Sequence, residues 1–167
     1  SWKKENPNSP EQLKMNRRLV ILRHAHSSRD DSSLQDHDRP LDSIGLRDAP
    51  VMANEVLRRG WKPTHIFVSS SLRTMQTLEH LGSEFYEIPR DVKDELYNAP
   101  LHTMLAIVES LTADSTVMII GHNPGCEMLV ESLTGNLEAM PTASASLIYE
   151  KDGQWYLEDL IRPRNLI

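Results

Sequence analysis

The stretch LVILRHAHSSRDD, Leu19 to Asp31, begins with four apolar residues and then changes abruptly to Arg23-His24-Ala25-His26. A short continuous apolar run reads as a strand buried on both faces, the kind that occupies the middle of a parallel sheet. An arginine and two histidines at the end of such a strand need a chemical reason.

Working outward, the same alternation of elements repeats along the chain. A strand over about 18–23 precedes a helix over about 45–59, where Pro40 and Gly45 set a turn and Asp42 or Ser43 caps the helix. HIFVSS (65–70) reads as a strand, SLRTMQTLEHL (71–81) as a helix and FYEI (85–88) as a short strand. LHTMLAIVESL (101–111) has helical periodicity, STVMIIG (115–121) is another buried-strand run, and a helix follows over about 124–134. SASLIYE and QWYLEDLI flank Asp152-Gly153 and read as a hairpin. The pattern predicts an α/β fold: three layers, α/β/α, with a mainly parallel sheet and an antiparallel edge. Residues 1–17 are polar, and SPEQ (9–12) fits a capping box; they are expected to form a flexible lead with one short helix. Residues 18–167 form one domain.

Composition narrows the function. At 167 residues and 39% hydrophobic, the chain can bury a real core, and no apolar run is long enough to span a membrane. A formal charge of −6 argues against a broad nucleic-acid or anionic-membrane surface, so any basic site is local. Cys126 is alone, which excludes an internal disulfide and suits a reducing compartment. The expected location is cytoplasmic by default, with room for a targeting segment upstream of Ser1.

In open α/β sheets, ligands sit at the carboxyl ends of the strands. Three strands here end in polar groups: Arg23-His24, then Ser69-Ser70-Ser71 with Arg73, then Gly121-His122-Asn123. Two histidines and two arginines from distant segments thereby meet at one edge, and helix N-termini after two of them favour an anion. The pocket wants a phosphate. A metal hydrolase is the sharpest competitor, since His24-Ala25-His26 resembles half of a zinc motif and Asp30, Asp31, Asp36, His37 and Asp38 are near in sequence. Arg23 beside it counts against a dication, and Ser28 stands where the motif would continue. A cysteine phosphatase needs an arginine six residues after its thiolate; Ser132 is there instead, and Cys126 reads as a packed small residue. A serine-hydrolase elbow and a Walker loop are absent. What remains is histidine as nucleophile, because neutral imidazole attacks phosphorus near neutral pH and arginines match phosphoryl oxygens, with no metal or other cofactor required.

With these residues in view, the chain resembles the histidine phosphatase superfamily, the phosphoglycerate-mutase-like fold, and within it the small SixA-like branch. The matching pieces are LVILRHAHSS (19–28), DHDRPLDSIGLRDAPVMA (36–53), HIFVSSSLRTMQT (65–77), DELYNA (94–99), VMIIGHNPG (117–125) and MPTASASL (140–147). The resemblance implies that His24 is phosphorylated while Arg23, Arg73 and His122 surround the phosphoryl group. It places Ser27 near the phosphate and has Asn123 and Gly121 frame the second histidine. Between the second arginine and the second histidine it implies a carboxylate acid, for which Asp94 and Glu95 are the candidates and Glu95 the choice. Where much of the superfamily has an acidic residue and later an Asn, this chain has His26 and Asp30, which sets it apart from the mutases.

Other polar residues have plainer readings. Arg39 and Asp42 read as structural, and His26, His37 and His102 as solvated loop or helix positions, with lining the mouth of the site as their second reading. Arg29, in a charged loop, is in reach of an incoming phosphate. The expected activity is metal-independent hydrolysis of protein phosphohistidine or a small phosphoester, with a non-catalytic phosphoprotein-binding domain as the alternative from another class.

Overall fold

The computed structural model describes residues 15–166. Four parallel strands, β1 (Arg18–Arg23), β2 (His65–Ser69), β3 (Arg90–Lys93) and β4 (Thr116–Gly121), join an antiparallel hairpin, β5 (Ala145–Lys151) and β6 (Gln154–Ile161). The order across the sheet is β3-β2-β4-β1-β5-β6. The hairpin turns on Asp152 and Gly153, both at positive φ (52° and 77°), the conformation for which Asp-Gly is suited.

Alternate residues of the central strands enter two separate cores, which is why their sequence is apolar throughout. Val20 and Leu22 of β1, with Met118 and Ile120 of β4, pack under α1 (Ser43–Arg58) and α2 (Leu72–Glu79). Leu19 and Ile21, with Val117 and Ile119, pack on the other face against α3 (Leu101–Glu109) and α4 (Gly125–Thr134). This is the expected three-layer arrangement with an antiparallel edge. No helix among the described residues is long and apolar enough to cross a membrane.

Two local expectations are corrected. FYEI does not form a strand: Ser83–Phe85 is a 3-10 turn with Phe85 buried, and the edge strand falls on Arg90–Lys93. That strand is charged and Val92 is exposed, so it owes its conformation to pairing with β2 and carries no apolar pattern. The lead also ends earlier than its polarity suggests. Residues 1–14, including the SPEQ capping box, lie outside the described residues. Arg17, however, is buried, forks onto both oxygens of Glu150 at 3.0 and 2.8 Å, and donates to the Val108 and Leu111 carbonyls.

Asp42 caps α1, its Oδ1 accepting the Gly45 N–H at 3.0 Å, and Gly45 lets the helix press against the strand-end loop. A Cβ on Gly45 would lie 2.2 Å from the carbonyl oxygen of His26. Gly45→Ala should therefore push the His26 segment off α1. We expect a loss of about 1–3 kcal/mol in denaturant unfolding, the usual scale of overpacking, with activity falling in parallel; an unchanged midpoint would show that the loop yields freely.

Candidate active site

Because β1 and β4 are adjacent, parallel and in register from Arg18↔Thr116 to Arg23↔Gly121, their chains leave the sheet side by side. The His24 N–H donates to the Gly121 carbonyl at 3.0 Å, and the rings of His24 and His122 stand 5.3 Å apart at 54°. They sit in a cleft of about 490 Å³. Helix α2 holds the loop from below: the Ala25 N–H donates to Thr77 Oγ1 at 2.9 Å, and that hydroxyl donates to the Arg73 carbonyl at 2.7 Å. From the β5 side, the Ala143 N–H donates to the His24 carbonyl at 2.9 Å, with Ala143 held at φ 62°, a left-handed conformation that costs a non-glycine residue energy.

The partners of each histidine fix its tautomer. His24 Nδ1 lies 2.7 Å from the Ala25 carbonyl oxygen, which can only accept, so Nδ1 carries the proton and Nε2 keeps its lone pair. His122 Nδ1 lies 3.3 Å from Arg73 Nη2, which can only donate; the proton is then on Nε2 and goes to Ser69 Oγ at 2.8 Å. Burial, reinforced by Arg73, Arg23 and Arg39, lowers the His24 pKa to about 4 against a Nδ1 hydrogen bond that raises it. Burial, then His24 and Arg73, lowers His122 to about 3. Both rings are neutral at pH 7.

The arginines are committed at their ends and open at their elbows. Arg73 Nη1 donates to the Asp36 carbonyl at 2.7 Å and Nη2 to Asp36 Oδ2 at 3.1 Å; Arg23 Nη1 donates to the Met140 carbonyl at 3.0 Å. The Nε atoms of both are buried without a hydrogen-bond partner among the described residues. A buried unpaired donor is costly, and an anion between the two would satisfy both.

No protein-family profile matches the chain. An uncharacterised chloroplastic protein of Arabidopsis thaliana is 32% identical, spanning 92% of this chain and 81% of its own length. Among solved structures, SixA from Agrobacterium tumefaciens is 29% identical with a TM-score of 0.79, over 87% of this chain and 97% of its own. The protein histidine phosphatase SixA complexed with tungstate is 25% identical, also at 0.79, over 90% and 99%. The chain belongs to the histidine phosphatase superfamily. The two SixA structures are themselves members of it.

Against the expectations for this histidine phosphatase, the structure brings Arg23, His24, Arg73 and His122 together and adds Ser27 and Arg29 to the lining of the cleft. Ser27 Oγ accepts from Arg39 Nη1 at 2.7 Å, which leaves its own proton to give. Asn123 lines the cleft, yet its amide is spent on Glu127 Oε1 at 2.9 Å and the Met140 carbonyl at 3.0 Å, so it frames the site. Glu95 is displaced from its expected role: its side chain is 56% exposed, faces Lys93 and does not line the cleft. The segment DELYNA does reach the site, through Tyr97 and Asn98, because the 3-10 turn at Asp94–Leu96 directs the two acids away.

Sequence reading passed over Asp36 and Arg39 as site residues. Asp36 is the one carboxylate lining the cleft among the described residues. Hydrogen bonding from Tyr97, then Arg39 and Arg73, holds its pKa far below the ordinary carboxylate range despite some burial. Cys126 is fully buried in α4 and its thiol is pushed up to about 12 by desolvation, which fits packing alone. His24 and His26 do not converge on one point, since His26 turns to Asp42.

The low values have a pH signature. Unfolding restores ordinary histidine, near 6.5, so as pH falls the unfolded chain takes up protons first; stability is full above about pH 6.5 and is lost as pH drops toward 4 and 3. Ring resonances of His24 and His122 should stay those of neutral imidazole down to about pH 5, two units below neutrality. A His24 midpoint near 6.5 would contradict a buried, neutral His24.

Proposed function

We propose that this protein is a metal-independent phosphatase that transfers the phosphoryl group of its substrate to Nε2 of His24 and then to water. The observation that carries the proposal is the fixed tautomer of His24: its Nδ1–H is tied to the Ala25 carbonyl, which leaves the Nε2 lone pair to a ring that lines the same cleft as Arg23 and Arg73. A neutral imidazole is a competent nucleophile, and desolvation keeps it neutral at every physiological pH.

In the first step the Nε2 lone pair forms a bond to phosphorus and the bond from phosphorus to the leaving group breaks, P–O in a phosphoester and P–N in a phosphohistidine. The Nε–H groups of Arg23 and Arg73 and the hydroxyl proton of Ser27 meet the three peripheral oxygens, which carry growing charge in the transition state. The incoming dianion competes with Asp36 for Arg73 and draws a proton onto His122 Nδ1, so that His122 becomes a further donor. Arg29, which has no partner among the described residues, reaches the group beyond the phosphorus. The tungstate held by a SixA relative, an oxyanion related in shape to phosphate, supports an oxyanion site of this kind. The substrate is a phosphorylated protein or a small phosphoester, since the cleft has exposed residues such as His26 and Arg29 in its lining and no covering subdomain among the described residues.

His24→Ala should abolish turnover with the fold intact, and rapid quench with labelled substrate should trap acid-labile phosphate on the wild type. Label on the His24→Ala protein would move the nucleophile elsewhere. Arg73→Ala should lower turnover on the order of 10²-fold, the equivalent of about 3 kcal/mol for a lost transition-state donor; a loss under about threefold would take Arg73 out of the reaction. Activity should survive exhaustive chelation and yield to vanadate, whereas activity removed by chelation and restored by zinc would return the His-x-His metal reading. Comparing phosphohistidine protein, phosphoserine peptide, sugar phosphate and aryl phosphate assigns the substrate class.

A further inference from the structure

Hydrolysis of a phosphohistidine proceeds faster when a base takes a proton from the attacking water. The groups around His24 differ in their freedom to do this. His122 is bonded at both ring nitrogens, to Ser69 and to Arg73. Asp36 spends Oδ1 on Arg39 and Oδ2 on Arg73 and the Tyr97 hydroxyl. Glu95 is outside the cleft.

His26 is placed differently. Ser27 bridges to Leu41 as an antiparallel pair, the Ser28 N–H donates to the Pro40 carbonyl at 2.9 Å, and the Asp42 N–H donates to the His26 carbonyl at 3.2 Å. This local pairing sets Asp42 opposite His26, and His26 Nδ1 is hydrogen-bonded to Asp42 Oδ2. Both partners are held from behind. Asp42 Oδ1 accepts the Gly45 N–H at the start of α1, and the bare α-carbon of Gly45 abuts the His26 carbonyl. A carboxylate only accepts, so Nδ1 carries the proton and Nε2 has the free lone pair. The ring lines the same cleft as His24, and its side chain is 46% exposed, so solvent reaches it.

We propose that His26, oriented by Asp42, is the general base of the hydrolytic step; the inference rests on the phosphohistidine reading above. Water oxygen bonds to phosphorus, one water proton passes to His26 Nε2, and the P–N bond breaks with its electron pair returning to His24 Nε2. Hydrogen phosphate leaves. Asp42 stabilises the imidazolium that forms, and the proton on His26 is then available to the leaving oxygen of the next substrate. His26 is the catalytic residue and Asp42 the positioning residue.

The test uses the full chain, p-nitrophenyl phosphate and rapid quench, reading phosphorylation and dephosphorylation of His24 separately. An aryl oxide leaves without a proton, so His26→Ala should phosphorylate within about threefold of wild type. Its phosphoenzyme should decay about 10²-fold more slowly, the usual scale of general-base catalysis, and added imidazole should restore the decay. His26→Gln, which keeps an N–H toward Asp42, should show the same slow decay and covers the case in which the alanine variant does not fold. Asp42→Asn caps a helix as well as Asp does, so it should melt normally while slowing the same step. Decay within threefold of wild type, or a slow decay that imidazole leaves untouched, overturns the assignment. Wild-type protein that never becomes labelled overturns the phosphohistidine reading and this one together; labelled protein whose decay ignores His26 overturns this one alone.

Discussion

The in-register parallel pairing of β1 with β4 is the constraint on which the rest of the molecule depends. It sets Arg23 against Gly121, and one residue later each chain delivers a histidine to the same spot. Because both faces of β1 are apolar, alternation alone does not hold this register. The ends do. Arg18 donates to Thr116 Oγ1 at 3.0 Å and lies over the Trp61 ring, while Arg23 at the other end reaches the cleft. Four apolar residues between two arginines fit the width of the layer, and a slip of one position would draw a guanidinium into one of the two cores, at a cost of several kcal/mol for an unpaired buried charge.

The same placement explains the electrostatics. In a chain of net charge −6, four arginines line one cleft with a single carboxylate among the described residues. Asp36 sits across Arg39 and Arg73 and neutralises part of this charge, which keeps the site tolerable without substrate. The two buried Nε donors, without a partner among the described residues, carry a cost. The sandwich of two apolar cores around the sheet offsets that cost, since each fully buried Leu, Ile or Val contributes about 1.5–3 kcal/mol. An anion that meets these donors finds them already desolvated and aimed, so little reorganisation is needed when charge develops.

Much of this was legible in the sequence because the informative residues lie at the ends of apolar runs. β1, β2 and β4 announce themselves by hydrophobicity, and polar residues follow them; the ordered pieces that resemble the superfamily then point to His24, Arg23, Arg73 and His122, which line one cleft. What was not legible depends on partners far along the chain. β3 is charged and takes its shape from β2. Arg39 and Asp36 look like loop charges until the 3-10 turn at Asp36–Asp38 folds them over Arg73. Glu95 was the better carboxylate by position, but the direction of a side chain on a one-turn helix follows from backbone geometry that spacing does not encode. Tyr97 and Asn98, two and three residues on, have the reach that Glu95 lacks. His26 was read as a solvated histidine, which its exposure supports; its relation to Asp42 arises only when Ser27 pairs with Leu41.

Three histidines thus share one cleft, and their differences come from partners alone. A backbone carbonyl holds the proton of His24 on Nδ1, an arginine forces that of His122 onto Nε2, and a carboxylate holds that of His26 on Nδ1. Burial removes the first two from titration near neutrality, which suits the roles proposed for them, a nucleophile and a neutral neighbour. The third keeps contact with water and a permanent counter-charge. A group proposed to exchange protons with water has access to it there, while the proposed nucleophile is buried. The separation of the two proposed tasks follows from where β1 ends: His24, the residue after the strand, is buried, and His26, two residues further, is exposed at the bridge of Ser27 to Leu41.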